Sequence, residues 1–200
     1  MDRHQNDQIS LNLATLILLS VLGGISSTVV GYTGTLLSGV LGGNPISGQV
    51  LSGLHVFWLV LSATILKRNG AAMATGALKG LIEMLLLSHL GIFVFLISFV
   101  EGLVVDAVLF LFKRTSYFSL CLASGFSAAS NVFILQLFLI RNLPFLAYLG
   151  IYLVSFLSGL ILGGFLAGSV LKSLRTFLPK TETPRKGEQN QLVNVQQVWS

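Results

Sequence analysis

The sequence predicts an all-α polytopic membrane protein, folded as a bundle of six transmembrane helices. The chain of 200 residues is 54% hydrophobic and only 10% charged, whereas soluble domains carry about 25% charged residues. Its mean hydropathy is +0.85, so lipid is the expected solvent for most of the chain. In addition, six apolar segments follow one another, and each approaches the roughly 20 residues with which a helix crosses a bilayer.

The six predicted spans follow in order, with short polar turns between most of them. Helices are favoured over strands because lipid cannot satisfy exposed backbone polar groups. The predicted spans are residues 9–30, 48–66, 71–89, 92–112, 117–140 and 145–176. Residues 1–8 are therefore expected to be a short N-terminal extension, 9–177 the membrane domain, and 178–200 a polar, flexible tail.

A glycine-rich stretch, 31–48, separates the first two spans and is predicted to be a loop, which could close over the protein as a lid. The other predicted turns are 67–70, 88–91, 113–116 and 141–144.

The basic residues predict the orientation. Cytoplasmic loops carry an excess of Lys and Arg. With the N-terminus inside, the outer face holds Arg141, whereas the inner face holds a much larger set: Arg3, Lys67, Arg68, Lys113, Arg114, Lys172, Arg175, Lys180, Arg185 and Lys186. We therefore expect a cell-membrane protein with both termini in the cytoplasm.

Small residues recur at four-residue spacing, which lets helix backbones approach closely in lipid. The third span has Ala72, Gly76 and Gly80, and the sixth has Gly159 and Gly163. Ordinary packing within the molecule explains such stripes. Docking to another membrane subunit is the other interpretation, and its best candidate is the pair Ser10 and Ala14 in the first span.

Ionisable residues inside the spans are the strongest functional signal, because a charge in the bilayer core is costly and normally faces a cavity or a partner. At 1.5 Å per residue, Glu83, Lys79 and Glu101 lie about 9, 15 and 13 Å below the predicted outer surface. Polar and aromatic side chains of other spans reach a similar depth: His55, Trp58, Asn131 and Tyr152. The sequence therefore predicts a polar layer in the outer half, as a pocket for a small ligand requires.

Two interpretations of this layer stay open. Lys79 and Glu83 are four residues apart and can pair on one helix face, so the layer could be a self-satisfied ion pair. Alternatively, Lys79 neutralises one carboxylate and leaves the other for a cationic ligand. Asp106 lies deeper, and we expect it to have a structural role with Arg68 or a lysine at a span end.

No catalytic motif is recognisable, so we expect neither an enzyme nor a cofactor. Cys121 is a lone cysteine in an apolar run. His55 and His89 are isolated histidines, and a metal site needs several ligands held together. The basic residues lie at span ends rather than among aromatic residues, so nucleic acid is not an expected partner.

Three segments carry a family resemblance: GLHVFWLVLSATILKRNGAA, LIEMLL and FVEGLVVDAVLFLF. Together they resemble the YkoE-type substrate-binding (S) components of energy-coupling factor (ECF) transporters. The resemblance implies a six-helix protein that captures a vitamin or precursor, such as thiamine or its hydroxymethylpyrimidine precursor. It also implies docking, through the first span, onto a transmembrane coupling subunit that carries two ATPases.

The sequence departs from the family pattern at several places in the presumed pocket. The family has an aromatic residue near His55, acidic residues near Gly76 and Gln136, and a small residue where this chain has Lys79. The resemblance therefore does not define the substrate. The leading hypothesis is capture of a small cationic nutrient by Glu83, Glu101, Lys79, Asn131, His55, Trp58 and Tyr152. A membrane scaffold without a small ligand is the alternative, and an intramembrane enzyme is a weaker third.

Overall fold

The computed structural model describes residues 3–40, 49–86, 91–112, 116–139 and 143–177. Within these ranges the protein is all-α and has six helices. The predicted residue His89, the predicted tail 178–200 and parts of the predicted turns 88–91, 113–116 and 141–144 lie outside the described residues.

The helices follow the order of the predicted spans. Their bounds are α1 Arg3–Val40, α2 Ser52–Leu66, α3 Ala71–Leu85, α4 Ile92–Leu111 and α5 Tyr117–Phe138, and α6 joins Phe145–Ser158, a π-helical stretch Gly159–Phe165, and Leu166–Phe177.

Helix α1 is longer than predicted. The expected loop is wrong for residues 31–40, which continue the helix. Extending an existing helix is far easier than nucleating one, and the hydroxyls here bond back to the helix itself. Thr33 Oγ1 donates to the Val29 carbonyl over 2.8 Å, and Thr35 Oγ1 donates to the Gly31 carbonyl over 3.0 Å. The remainder of the predicted loop, 41–48, is not among the described residues.

In the described part of the chain, four helices are long and apolar enough to cross a membrane: α1, α4, α5 and α6. Helix α2 is apolar but has only 15 residues, and α3, also 15 residues long, carries Lys79 and Glu83. A 15-residue helix spans about 22 Å, less than the roughly 30 Å of a bilayer core. The protein is a multi-pass membrane protein.

Helices α3 and α4 pack with their backbones close together, because each presents a glycine to the other. A methyl group on Gly76 would overlap the carbonyl oxygen of Ser98, and one on Gly102 would overlap the carbonyl oxygen of Ala72. The small-residue stripe of α3 is thus used for packing within the molecule. This close approach sets the height of every α3 side chain against α4.

Buried serines join α2, α5 and α6. Ser155 Oγ donates to the Ala128 carbonyl over 2.8 Å and lies 3.1 Å from Ser52 Oγ. Ser158 Oγ accepts the Gly53 amide over 3.0 Å and donates to the Val50 carbonyl over 2.6 Å. These bonds satisfy polar groups that lipid could not, and they fix α2 against the centre of α6.

Asp106 anchors the start of α3. The Met73 amide donates to Asp106 Oδ2 over 2.9 Å, which satisfies one of the open amides in the first turn of that helix. A carboxylate there also interacts favourably with the helix dipole. Asp106 therefore makes a structural contact between α4 and α3, and its pairing with Arg68 or a lysine stays a prediction.

Candidate functional site

Lys79 lies at the centre of the bundle and is fully buried. Its ammonium contacts Glu83 Oε1 at 2.5 Å, as the four-residue spacing predicted. It also donates a hydrogen bond to Ser98 Oγ of α4 over 3.0 Å. A buried ammonium requires such partners because it has lost its water.

Glu101 faces this pair from α4 and is only 1% exposed. The charges of Lys79 and Glu83 both act on its carboxyl group, and the Asn131 side chain of α5 neighbours it as a donor. Nevertheless, neither carboxylate oxygen has a well-formed hydrogen bond to any residue that the structure describes. Buried polar atoms are nearly always paired, so Glu101 has unused capacity to accept hydrogen bonds.

The geometry therefore brings together four of the predicted site residues, on α3, α4 and α5. We call Lys79, Glu83, Glu101 and Asn131 the acidic layer. With its three ionisable groups charged, the acidic layer carries one net negative charge. Chemically, it can attract a cation or a ligand rich in hydrogen-bond donors.

Gly23 of helix α1 lies beside both Trp58 and the stem of Lys79. A methyl group on Gly23 would lie 3.1 Å from Trp58 Cβ and 3.4 Å from Lys79 Cδ. Trp58 is half-buried and meets Phe57 edge to face, with ring centroids 5.2 Å apart. His55 lies one turn earlier on α2 and is also half-buried. Thus α2 brings an aromatic ring close to the acidic layer.

The other predicted residues lie elsewhere. Tyr152 is half-buried on α6 and donates its hydroxyl to Gln136 Oε1 of α5 over 2.8 Å. Ser10 and Ala14 are exposed on α1, where Ser10 Oγ donates to the Asp7 carbonyl over 2.9 Å. That face of α1 is therefore not covered by any of the described helices.

Sequence reasoning did not find two serines that support the acidic layer. Ser98 Oγ accepts a hydrogen bond from the Lys79 ammonium, and Ser127 Oγ donates one to the Glu101 backbone carbonyl over 3.0 Å. Ser98 could have been predicted from its spacing. It lies three residues before Glu101, and therefore on the same face of α4. Ser127 had no comparable signal.

Comparison with known proteins identifies the family. A family model described as the permease component of an ABC-type cobalt transport system matches residues 11–130. A protein of Bacillus subtilis (strain 168), named as an HMP/thiamine permease protein, YkoE, is 30% identical over 172 residues, which cover 82% of this chain and 85% of YkoE. The chain belongs to the same family as YkoE.

The fold of this YkoE-type chain also matches a solved structure, the crystal structure of an S-component of an ECF transporter. The TM-score is 0.76 at 22% identity, and the match covers 94% of this chain and 97% of the other. At this identity the likeness is evidence of fold. Across the described part of this YkoE-type chain, no three His, Cys, Asp or Glu side chains gather as candidate metal ligands.

Proposed function

We propose that this YkoE-type chain is the substrate-capture component of an ECF-type ABC importer, and that it binds a small cationic vitamin or precursor of the thiamine class. The relative named as an HMP/thiamine permease supports the substrate class. The likeness to an ECF S-component supports the assembly.

One observation supports this proposal most directly: apart from the neighbouring Asn131 side chain, the buried Glu101 carboxylate has no well-formed hydrogen bond to any described residue. A carboxylate left without water or a partner is costly. A cationic ligand would supply both the missing charge and the missing donors. Glu83 is less available because Lys79 already contacts it.

The remaining predicted site residues complete the proposed site. Asn131 would bind the ligand beside Glu101, and Trp58 would cover an aromatic ring or a cationic centre, because cations bind favourably over indole faces. His55 and Tyr152 would line its sides.

We further propose six spans with both termini in the cytoplasm, a membrane domain of residues 9–177, and a cytoplasmic tail of residues 178–200. The short helices α2 and α3 would cross because their polar side chains face the protein rather than lipid. Ser10 and Ala14 would dock onto a transmembrane coupling subunit that carries an ATPase pair. In this proposal the chain itself catalyses no reaction.

Glu101→Gln tests the proposal in purified protein. We expect thiamine or hydroxymethylpyrimidine to raise the melting temperature of the wild type, and we expect affinity for the cationic ligand to fall about tenfold or more in the variant, which is about 1.4 kcal/mol. Asp7→Asn is the matched control, since it removes one exposed carboxylate at the far end of α1.

Equal affinity of the wild type and Glu101→Gln would refute the role of Glu101. A wild type that binds no vitamin would favour the scaffold alternative. That alternative also predicts wild-type stability when Lys79, Glu83 and Glu101 are all replaced by Met.

A further inference from the structure

A cleft opens at the other end of α3 from Glu83, between the first turns of α1 and the turn that joins α2 to α3. Its volume is about 470 Å³. Helix α1 packs tightly against the bundle at Gly23 and Gly24, where methyl groups would press on Trp58 and Ile82. Nearer the N-terminus of α1, the cleft lies between that helix, the end of α2 and the start of α3.

The cleft has an apolar wall and a polar rim. The wall consists of Ile9, Leu13 and Leu16, which recur on one face of α1, together with Leu66 at the end of α2. The rim consists of Asn12, Arg68 and Asn69. Ile9 and Leu13 are each at least half exposed, at 50% and 56%, so the cleft opens sideways from the bundle.

This pattern matches the boundary between the acyl chains and the headgroups of a bilayer. Helix α2 is apolar up to Leu66 and is followed at once by the exposed residues Lys67 and Arg68. Basic residues at the end of an apolar helix lie at the membrane surface, and basic clefts between membrane helices bind anionic lipid headgroups. A lipid phosphate near Arg68 would place the first part of its acyl chain along Leu13 and Leu16.

We propose that this cleft is a binding site for one anionic phospholipid, with its phosphate at the rim and an acyl chain along α1. The site differs from the proposed docking face of α1. Ser10 and Ala14 lie about 100° further round the helix than Ile9 and Leu13. A coupling subunit could therefore contact α1 while the lipid stays in place.

Native mass spectrometry of the purified full chain with added phosphatidylglycerol tests this inference. The wild type should retain one phosphatidylglycerol in preference to phosphatidylcholine. Arg68→Gln should weaken retention about fivefold, which corresponds to the roughly 1 kcal/mol of one basic residue near an anionic surface. Lys172→Gln is the control: it removes an exposed positive charge on α6, outside this cleft.

Leu16→Trp gives a second, independent arm, because it fills the apolar wall without changing charge and should also reduce retention. Equal losses in Arg68→Gln and Lys172→Gln would overturn the proposal in favour of diffuse surface charge. Equal binding of both lipids would overturn it as well, as would competition by inorganic phosphate alone, which would indicate a simple anion site. Displacement of the lipid when the coupling subunit is added would assign the cleft to protein docking.

Discussion

At the scale of single residues, the main feature is that two buried carboxylates, Glu83 and Glu101, have different partners. Glu83 has the Lys79 ammonium at 2.5 Å, whereas Glu101 has only its neighbour Asn131 and the more distant charges. Both are at most 2% exposed. The first carboxylate is thereby a fixed part of the structure, and the second is the one we propose for ligand binding.

Lys79→Met should strongly destabilise the protein, because it leaves two buried carboxylates without their cation. Removing one member of a buried ion pair costs about 3–5 kcal/mol. The double variant Lys79→Met/Glu83→Met should regain most of this loss, since both charges are then absent. The free energy of unfolding of each variant, measured in detergent by heating or by adding denaturant, gives the difference in stability. Equal stability of the single and double variants would contradict the pairing.

At the scale of helices, glycines determine how closely α3 approaches α4. The contact of Gly76 with the Ser98 carbonyl is one of backbone with backbone, so neither partner can yield by rotating a side chain. Asp106 adds a hydrogen bond from α4 to the first turn of α3. Together these contacts fix the two helices along their axes.

Gly76→Ala should therefore destabilise the bundle by about 1–3 kcal/mol, the usual range for overpacking. The matched control is Gly39→Ala on α1, where an added methyl group has no atom within 4 Å. There the higher helix propensity of alanine should leave stability unchanged or raise it by up to about 1 kcal/mol. The melting temperatures of both variants, measured in the same detergent, distinguish the two effects. Equal changes in melting temperature would show that the α3–α4 contact is not tight.

The sequence predicted some of these elements and not others, for physical reasons. The order of the described helices was predictable because lipid favours apolar helical segments, and the pairing of Lys79 with Glu83 was predictable because helical spacing alone brings them together. The end of α1 was not predictable, since glycine and threonine are common in loops and yet are tolerated where a helix is already formed. The supporting Ser127 was not predictable either, because a serine in an apolar helix can bond to its own backbone.

At the scale of the whole molecule, the proposed topology requires the two short helices α2 and α3 to cross the bilayer. Helices α2 and α3 are shorter than the bilayer core, and yet they hold much of the buried polar chemistry. The proposed six-span topology places the end of α1 outside the cell and the turn between α2 and α3 inside it.

Accessibility of single cysteines tests this topology in a Cys121→Ser background. Leu36→Cys, at a position that is 71% exposed near the end of α1, should react with a membrane-impermeant thiol reagent in intact cells. Lys67→Cys, exposed in the turn after α2, should react only after the cells are opened. Reaction of both positions in intact cells would mean that α2 does not cross.

The glycine contacts between α3 and α4 have a consequence for affinity. Because the two backbones touch, the distance between the helices that carry Glu83 and Glu101, the carboxylates of the proposed site, is set during folding. A cation that enters would find its receptor already assembled, and little of its interaction energy would go into rearranging helices. Discrimination among nutrients would then depend on the fit to a rigid arrangement of charges.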